Sequence, residues 1–137
     1  MLRKGEGMMA LALERYEGQV ELFPIATVEE IRAAKSLLSR YRRMQSVVDD
    51  IERNGLDGLA PKAIALYNAY KLKLQRTDRA IRLIQDDETR RMIELRFIKG
   101  LSYSVTVGRF EFWHRSTVDR KINRGIEAVA NTLQMWE

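Results

Sequence analysis

The final third of the chain constrains the fold most. Between Arg115 and Leu133, the residues Val118, Ile122, Gly125, Ile126, Val129 and Leu133 recur mostly every three or four positions, and most of those between them are charged or polar. That spacing lines one face of an α-helix and leaves the opposite face to solvent. Such a helix must lay its stripe against other elements, so this segment sets the pattern for everything packed around it. Gly125 sits inside the stripe, where glycine costs about 1 kcal/mol of helix propensity relative to alanine. Close approach by a second helix accounts for it.

The segments before it also read as helices. Met92, Ile93, Leu95, Phe97 and Ile98 supply the apolar side of an element that Asp86 or Asp87 caps and that ends at Lys99-Gly100. Ser102 can cap a helix through about Phe110, with Val105, Val107 and Phe110 turned to the core, and Glu111–His114 forms the turn into the last helix. Further upstream, Thr27 and Glu30 have capping-box spacing. Ile31, Ala34, Leu38, Tyr41, Met44 or Gln45, Val48 and Ile51 continue at helical intervals to about Arg53, where Asn54-Gly55 stops the helix. Pro61 suits the first turn of the next helix, which Ile64, Tyr67, Tyr70, Leu74, Ile81 and Ile84 carry to about residue 84, with Thr77-Asp78 as a candidate bend. Two long helices on a short connection predict an antiparallel hairpin. Its tyrosines and aliphatics exceed what two helices can bury between them, so the surplus is expected against the C-terminal unit or a second subunit, a two-fold homodimer being favoured.

Residues 1–26, punctuated by Gly5, Gly7, Gly18 and Pro24, predict a partly ordered arm. No alternating run signals a strand. The expected fold class is therefore all-α: the arm over 1–26, a long-helix hairpin over 27–85 suited to oligomerisation, and a helix-turn-helix unit over 86–137. With 137 residues, 45% of them hydrophobic, the chain has enough apolar material for a core. No apolar run reaches membrane-spanning length, and Glu6 and Glu14 interrupt the apolar start, which speaks against a secretory signal. Cysteine is absent, so disulfides and thiolate metal sites are excluded and a cytoplasmic location is expected.

Charge distribution points to a partner. The chain carries a formal net charge of +5, yet residues 90–124 alone hold nine Arg/Lys against three acids. The excess is thus concentrated where the last helix begins, as phosphate contact and electrostatic steering require. With Val118 and Ile122 buried, Arg115, Ser116, Asp119, Arg120, Asn123 and Arg124 fall on exposed or flanking positions of the first turns. These side-chain types hydrogen-bond base edges and phosphates, and a helix following a short helix and a turn is the element that enters the major groove in helix-turn-helix proteins. Lys121 is placed for a backbone contact, and Asp119 for accepting from cytosine or ordering Arg115 or Arg120. Double-stranded DNA is the expected partner. The alternative is a solvated basic face, or one that meets an acidic protein.

The run L-R-F-I-K-G-L-S-Y, followed by R-S-T-V-D-R-K-I-N-R-G-I, resembles region 4 of sigma factors. It is still more similar to the ArpU/RinA-type late transcription regulators of phages and prophages. The resemblance covers 87–133 well and the hairpin 31–84 loosely. It implies that Leu95, Phe97, Ile98 and Gly100 end the first region-4 helix, that Tyr103 and Phe110 belong to the second, and that Trp113, Val118 and Ile122 are core positions around the third. It places Arg115, Ser116, Thr117, Asp119 and Arg120 at the DNA-facing start of the recognition helix. Departures are Thr106 where isoleucine or valine is usual, Val107 where alanine is usual, and a turn at Glu111–His114 that is one residue longer and lacks its glycine. The function implied is sequence-specific regulation of late phage gene transcription together with host RNA polymerase. A small terminase or packaging subunit, which also joins such a motif to oligomerising helices, is the alternative, followed by a protein-interaction module without DNA.

Nothing in the chain signals catalysis. His114 is the single histidine and has neither a zinc cluster nor a triad neighbour; a turn or helix-cap role is expected. Of the acidic runs, Asp86-Asp87-Glu88 suits a helix start, and Asp49, Asp50 and Glu52 form no convincing metal site. Phe110, Phe112 and Trp113 are expected in the core rather than stacked on bases. No phosphate loop or dinucleotide fingerprint is present, so no cofactor is expected.

Overall fold

The computed structural model describes residues 25–136, and these form six α-helices with no strand among them. The arm expected over 1–26 lies outside the described residues except for Ile25 and Ala26. Helix α1 spans Val28–Ser39 and α2 Tyr41–Asn54; α3 spans Pro61–Arg82 and α4 Asp87–Ile93, which continues as a π-helical turn, Glu94–Ile98. After α5, Tyr103–Gly108, the chain enters α6, Arg115–Leu133, and ends in a 3₁₀ turn, Gln134–Trp136. No described helix is long and apolar enough to cross a membrane.

Local chemistry sets most of these boundaries. The Thr27 hydroxyl accepts from the Glu30 N–H at 3.1 Å, and the Glu30 carboxylate accepts from the Thr27 N–H at 2.8 Å, closing the capping box. Asp86 caps α4 and Ser102 caps α5. Gly55 and Gly100 end their helices at φ of +87° and +75°, the left-handed region that glycine enters without a Cβ penalty.

Two expectations about helix limits fail. The single helix expected from Thr27 to Arg53 is two helices, broken at Arg40, whose ψ is 0° and whose N–H reaches back to Ser36 and Leu37 at 3.1 Å. The break allows each half its own partner: α1 turns Ala34 and Leu38 toward the core around α6, while α2 turns Tyr41, Met44 and Val48 toward α3. The second concerns α5, which stops at Gly108 rather than Phe110. Its inward positions are Thr106 and, after the helix, Phe110, whereas Val105 is 47% exposed. Thr106 tolerates full burial because its hydroxyl donates to the Ser102 carbonyl at 2.9 Å.

Helices α2 and α3 run antiparallel. Tyr41, at the start of α2, donates to Asp78 near the end of α3 at 2.6 Å, and Tyr67, near the start of α3, donates to Glu52 near the end of α2 at 2.7 Å. Helix α3 runs on through Thr77-Asp78, where Thr77 satisfies its buried hydroxyl on the Lys73 carbonyl. Ala80, Ile81 and Ile84 then leave the hairpin and join α1, α4 and α6 in one apolar core with Val118, Ile126 and Val129. Helix α4 crosses α6 closely: a Cβ at Gly125 would stand 2.5 Å from Ile93 Cγ1 and 3.0 Å from Thr89 Cγ2.

This contact makes an opposed pair of predictions. Gly125→Ala should destabilise the protein by about 1–3 kcal/mol through overpacking against the buried Ile93, despite alanine's better helix propensity. Gly108→Ala, where a Cβ meets nothing within 4 Å, should be neutral or stabilising by up to about 1 kcal/mol. Urea denaturation of both variants measures the contrast.

Candidate nucleic-acid interface

The candidate interface begins with the first turns of α6. Val118 and Ile122 are buried, and this fixes the rotation of the helix. Arg115, Ser116, Asp119, Arg120, Asn123 and Arg124 are all exposed, Thr117 is half-buried, and Lys121 is half-buried. The outward face therefore carries three arginines with serine, aspartate and asparagine between them. Among the described residues, Arg115, Arg120 and Arg124 pair with no carboxylate.

Three of the expected contact residues have internal partners. Lys121 Nζ lies 3.0 Å from Asp86 Oδ2 and 4.9 Å from the centre of the Trp113 ring. Asp119 accepts a hydrogen bond from the Tyr103 hydroxyl, and the Arg115 guanidinium stands 5.3 Å above the Tyr103 ring. Asp119 thus ties the first residue of α5 to α6, rather than ordering an arginine directly. Its bond also pushes the Tyr103 phenol's pKa up, since the neutral phenol is the donor.

Asp86 joins two helices. One oxygen accepts from the Thr89 hydroxyl at 2.6 Å, the Thr89 N–H at 3.0 Å and Lys121 Nζ at 3.0 Å. The Thr89 hydroxyl, then Lys121 and the Thr89 N–H, hold its carboxyl at a pKa of about 2, below the ordinary 3.8. Asp86 therefore caps α4 and anchors α6 at once. Only its capping role was readable locally; Lys121 is 35 residues away.

The connection between α5 and α6 spans 109–114 because α5 ends early. Phe110 is buried, but Phe112 is 96% exposed and Trp113 38% exposed, so the expected aromatic core cluster is reduced to one member. Buried Phe110 and the Trp113–Lys121 contact bracket Phe112, which stands at the entrance to α6. His114 occupies the N-cap position of α6; its carbonyl accepts from Thr117 and Val118, and its side chain makes no cap bond. Among the described residues, no cluster of three His, Asp or Glu side chains could hold a metal ion.

A sequence-distant contribution comes from α2. Arg42 packs against Gly100, and Arg96 Nη1 donates to the Leu101 carbonyl at 3.2 Å, so both arginines line one concavity beside the loop that leads into α5. No motif marked Arg42, because its neighbourhood is set by the packing of α2 on the π-helical turn.

The chain matches no family model, no curated protein and no solved structure.

The Asp86 geometry makes a prediction with a defined pH window. Asp86→Ala should cost about 1 kcal/mol at neutral pH through loss of the cap. Asp86→Asn keeps a capping oxygen and should cost less, since the ion pair is half-exposed. Because the folded pKa lies below the unfolded one, the charge's contribution is complete above about pH 4 and disappears as pH falls toward 2. The stability difference between wild type and Asp86→Asn should narrow across that window in urea denaturation, and a constant difference would contradict the assignment.

Proposed function

We propose that this chain binds double-stranded DNA through the first turns of α6, and that it is a sequence-specific regulator of the sigma region 4-like, ArpU/RinA-like kind. On that reading it acts on late phage or prophage genes together with host RNA polymerase, and has no catalytic step of its own. One observation carries the DNA reading: exposed Arg115, Arg120 and Arg124, with Ser116 and Asn123 among them, face outward from a helix whose opposite side is locked into the core. Arginine reads guanine bidentately, asparagine reads adenine, and serine contacts either base edges or phosphates.

The division of labour follows from the pairings. Lys121 and Asp119 hold the frame of the interface through Asp86 and Tyr103, while Arg115, Ser116, Arg120 and Asn123 meet the bases and Arg124 meets a phosphate. Helix α5 and the connection 109–114 deliver α6 to the groove in the manner of a helix-turn-helix. The regulatory assignment rests on the resemblance of 87–133 to sigma region 4; a chain of this kind contributes promoter contact and leaves strand opening to the polymerase.

Selection from a randomised duplex pool tests the reading. A common sequence should be enriched, and Arg120→Ala should weaken binding to it several-fold with unchanged helicity. Titration at several salt concentrations should give a log–log slope of roughly −4 to −5, most of it retained on random duplex. No duplex binding near 50 mM salt would overturn the proposal in favour of a protein-interaction role. An octamer-like mass in native mass spectrometry, with binding confined to a packaging site, would instead favour the terminase reading.

A further inference from the structure

A concave pocket of about 250 Å³ lies between α1, α2 and the π-helical turn, lined by Leu38, Ser39, Arg42, Arg96, Phe97 and Gly100. It holds two guanidinium groups and a hydroxyl, and no carboxylate lines it. Arg42 and Arg96 pair with no carboxylate among the described residues. Exposed Lys99 neighbours it in the chain. Two cations brought together without an acid between them repel one another, and an anion relieves that repulsion.

Arg96 is held in place, and Arg42 is exposed beside it. Arg96 bonds the Leu101 carbonyl through Nη1, and its guanidinium carbon lies 5.3 Å from the centre of the Phe97 ring, leaving further N–H groups to donate. Arg42 lies over Gly100, where a Cβ would collide with its Cδ and Nη1. Glycine at 100 suits its left-handed backbone, and its missing Cβ leaves room for this approach by the exposed Arg42 side chain.

The pocket and the α6 interface are linked by the loop that leads from Gly100 into α5. Gly100 is three residues from Tyr103, which contacts both Arg115 and Asp119. Three residues span at most about 11 Å of chain, and a DNA strand rises about 3.4 Å per nucleotide. At that spacing, a duplex seated on the first turns of α6 needs to extend only a few nucleotides toward the loop 99–102 to bring a backbone phosphate to it.

We propose that the Ser39–Arg42–Arg96–Gly100 pocket binds a phosphodiester of the DNA backbone, so that α2 extends the footprint of α6. Arg42 grips the phosphate as a fork, Arg96 is the second cation, and Ser39 donates its hydroxyl. This rests on the duplex-binding reading above. The contact is to the backbone, so it strengthens binding to all sequences alike.

The test uses the full chain and a fluorescein-labelled duplex carrying the selected sequence, beside a random duplex. Arg42→Gln should weaken both by a similar factor of several-fold and flatten the salt slope by about 0.9. Arg42→Lys should keep the slope and lose less affinity. Circular dichroism melts should show both variants folded. Replacing single phosphates with neutral methylphosphonates should reveal a position beside the groove that weakens wild type and leaves Arg42→Gln unaffected. If wild type binds and Arg42→Gln shows the same slope and the same methylphosphonate profile, the pocket assignment falls while duplex binding stands. An inorganic phosphate-induced rise in melting temperature that Arg42→Gln abolishes, with its DNA binding unchanged, would assign the pocket to free phosphate and also overturn the proposal. Absence of wild-type duplex binding overturns both readings together.

Discussion

Burial of the inner face of α6 is the constraint on which the structure depends. Val118, Ile126, Val129 and Leu133 meet Ala34 and Leu38 of α1, Ala80 and Ile81 of α3, and Met92 and Ile93 around α4 in one core. Burying aliphatic side chains of this size contributes about 1.5–3 kcal/mol each, against less than 1 kcal/mol for most exposed polar pairs. The rotation of α6 is therefore decided by its core face. The outward display of Arg115, Ser116, Arg120 and Asn123 follows as a consequence. Gly125 sharpens this placement, because any side chain there would push α4 away from the helix it positions.

Polar contacts then tune what packing has placed. Asp86 links the start of α4 to Lys121, and Tyr103 links the start of α5 to Asp119 and Arg115. Neither pair is buried enough to rival the core energetically, but each fixes one side of the α6 N-terminal turns. On the proposed reading α6 needs such bracing, since side chains that must meet base edges lose discrimination when their frame shifts by an ångström. In the proposed arrangement the same fold brings Arg42 from α2 to the other end of the loop 99–102, giving the interface a backbone contact outside the helix-turn-helix unit.

How much of this the sequence reveals depends on the range of the interaction. The α6 stripe, its limits at Arg115 and Leu133, the Thr27–Glu30 capping box and the glycine stops at 55 and 100 depend on residues within a few positions, and all are legible. The break at Arg40 is not: no proline or glycine marks it, and the apolar stripe runs through it in phase, so only the separate partners of α1 and α2 reveal it. Val105 and Thr106 show the limit of hydrophobicity as a guide, because a threonine that satisfies its hydroxyl on the preceding turn can take the buried position from a valine. The Lys121–Asp86 and Arg42–Gly100 contacts span 35 and 58 positions, and no local pattern encodes them. Phe112 misleads in the opposite sense, an aromatic between buried and anchored neighbours that is itself turned to solvent.

The central claim is that the outward face of α6 is where duplex DNA is met. Amide chemical-shift mapping tests it most directly, because it reports location without requiring a variant. Titrating the labelled protein with the selected duplex should shift amides over 115–124 most strongly, with a second group around 99–104 and Arg42, and leave the hairpin tip around 52–62 unchanged. Shifts centred on that tip, or none at all under conditions where the duplex is in excess at low salt, would contradict the account.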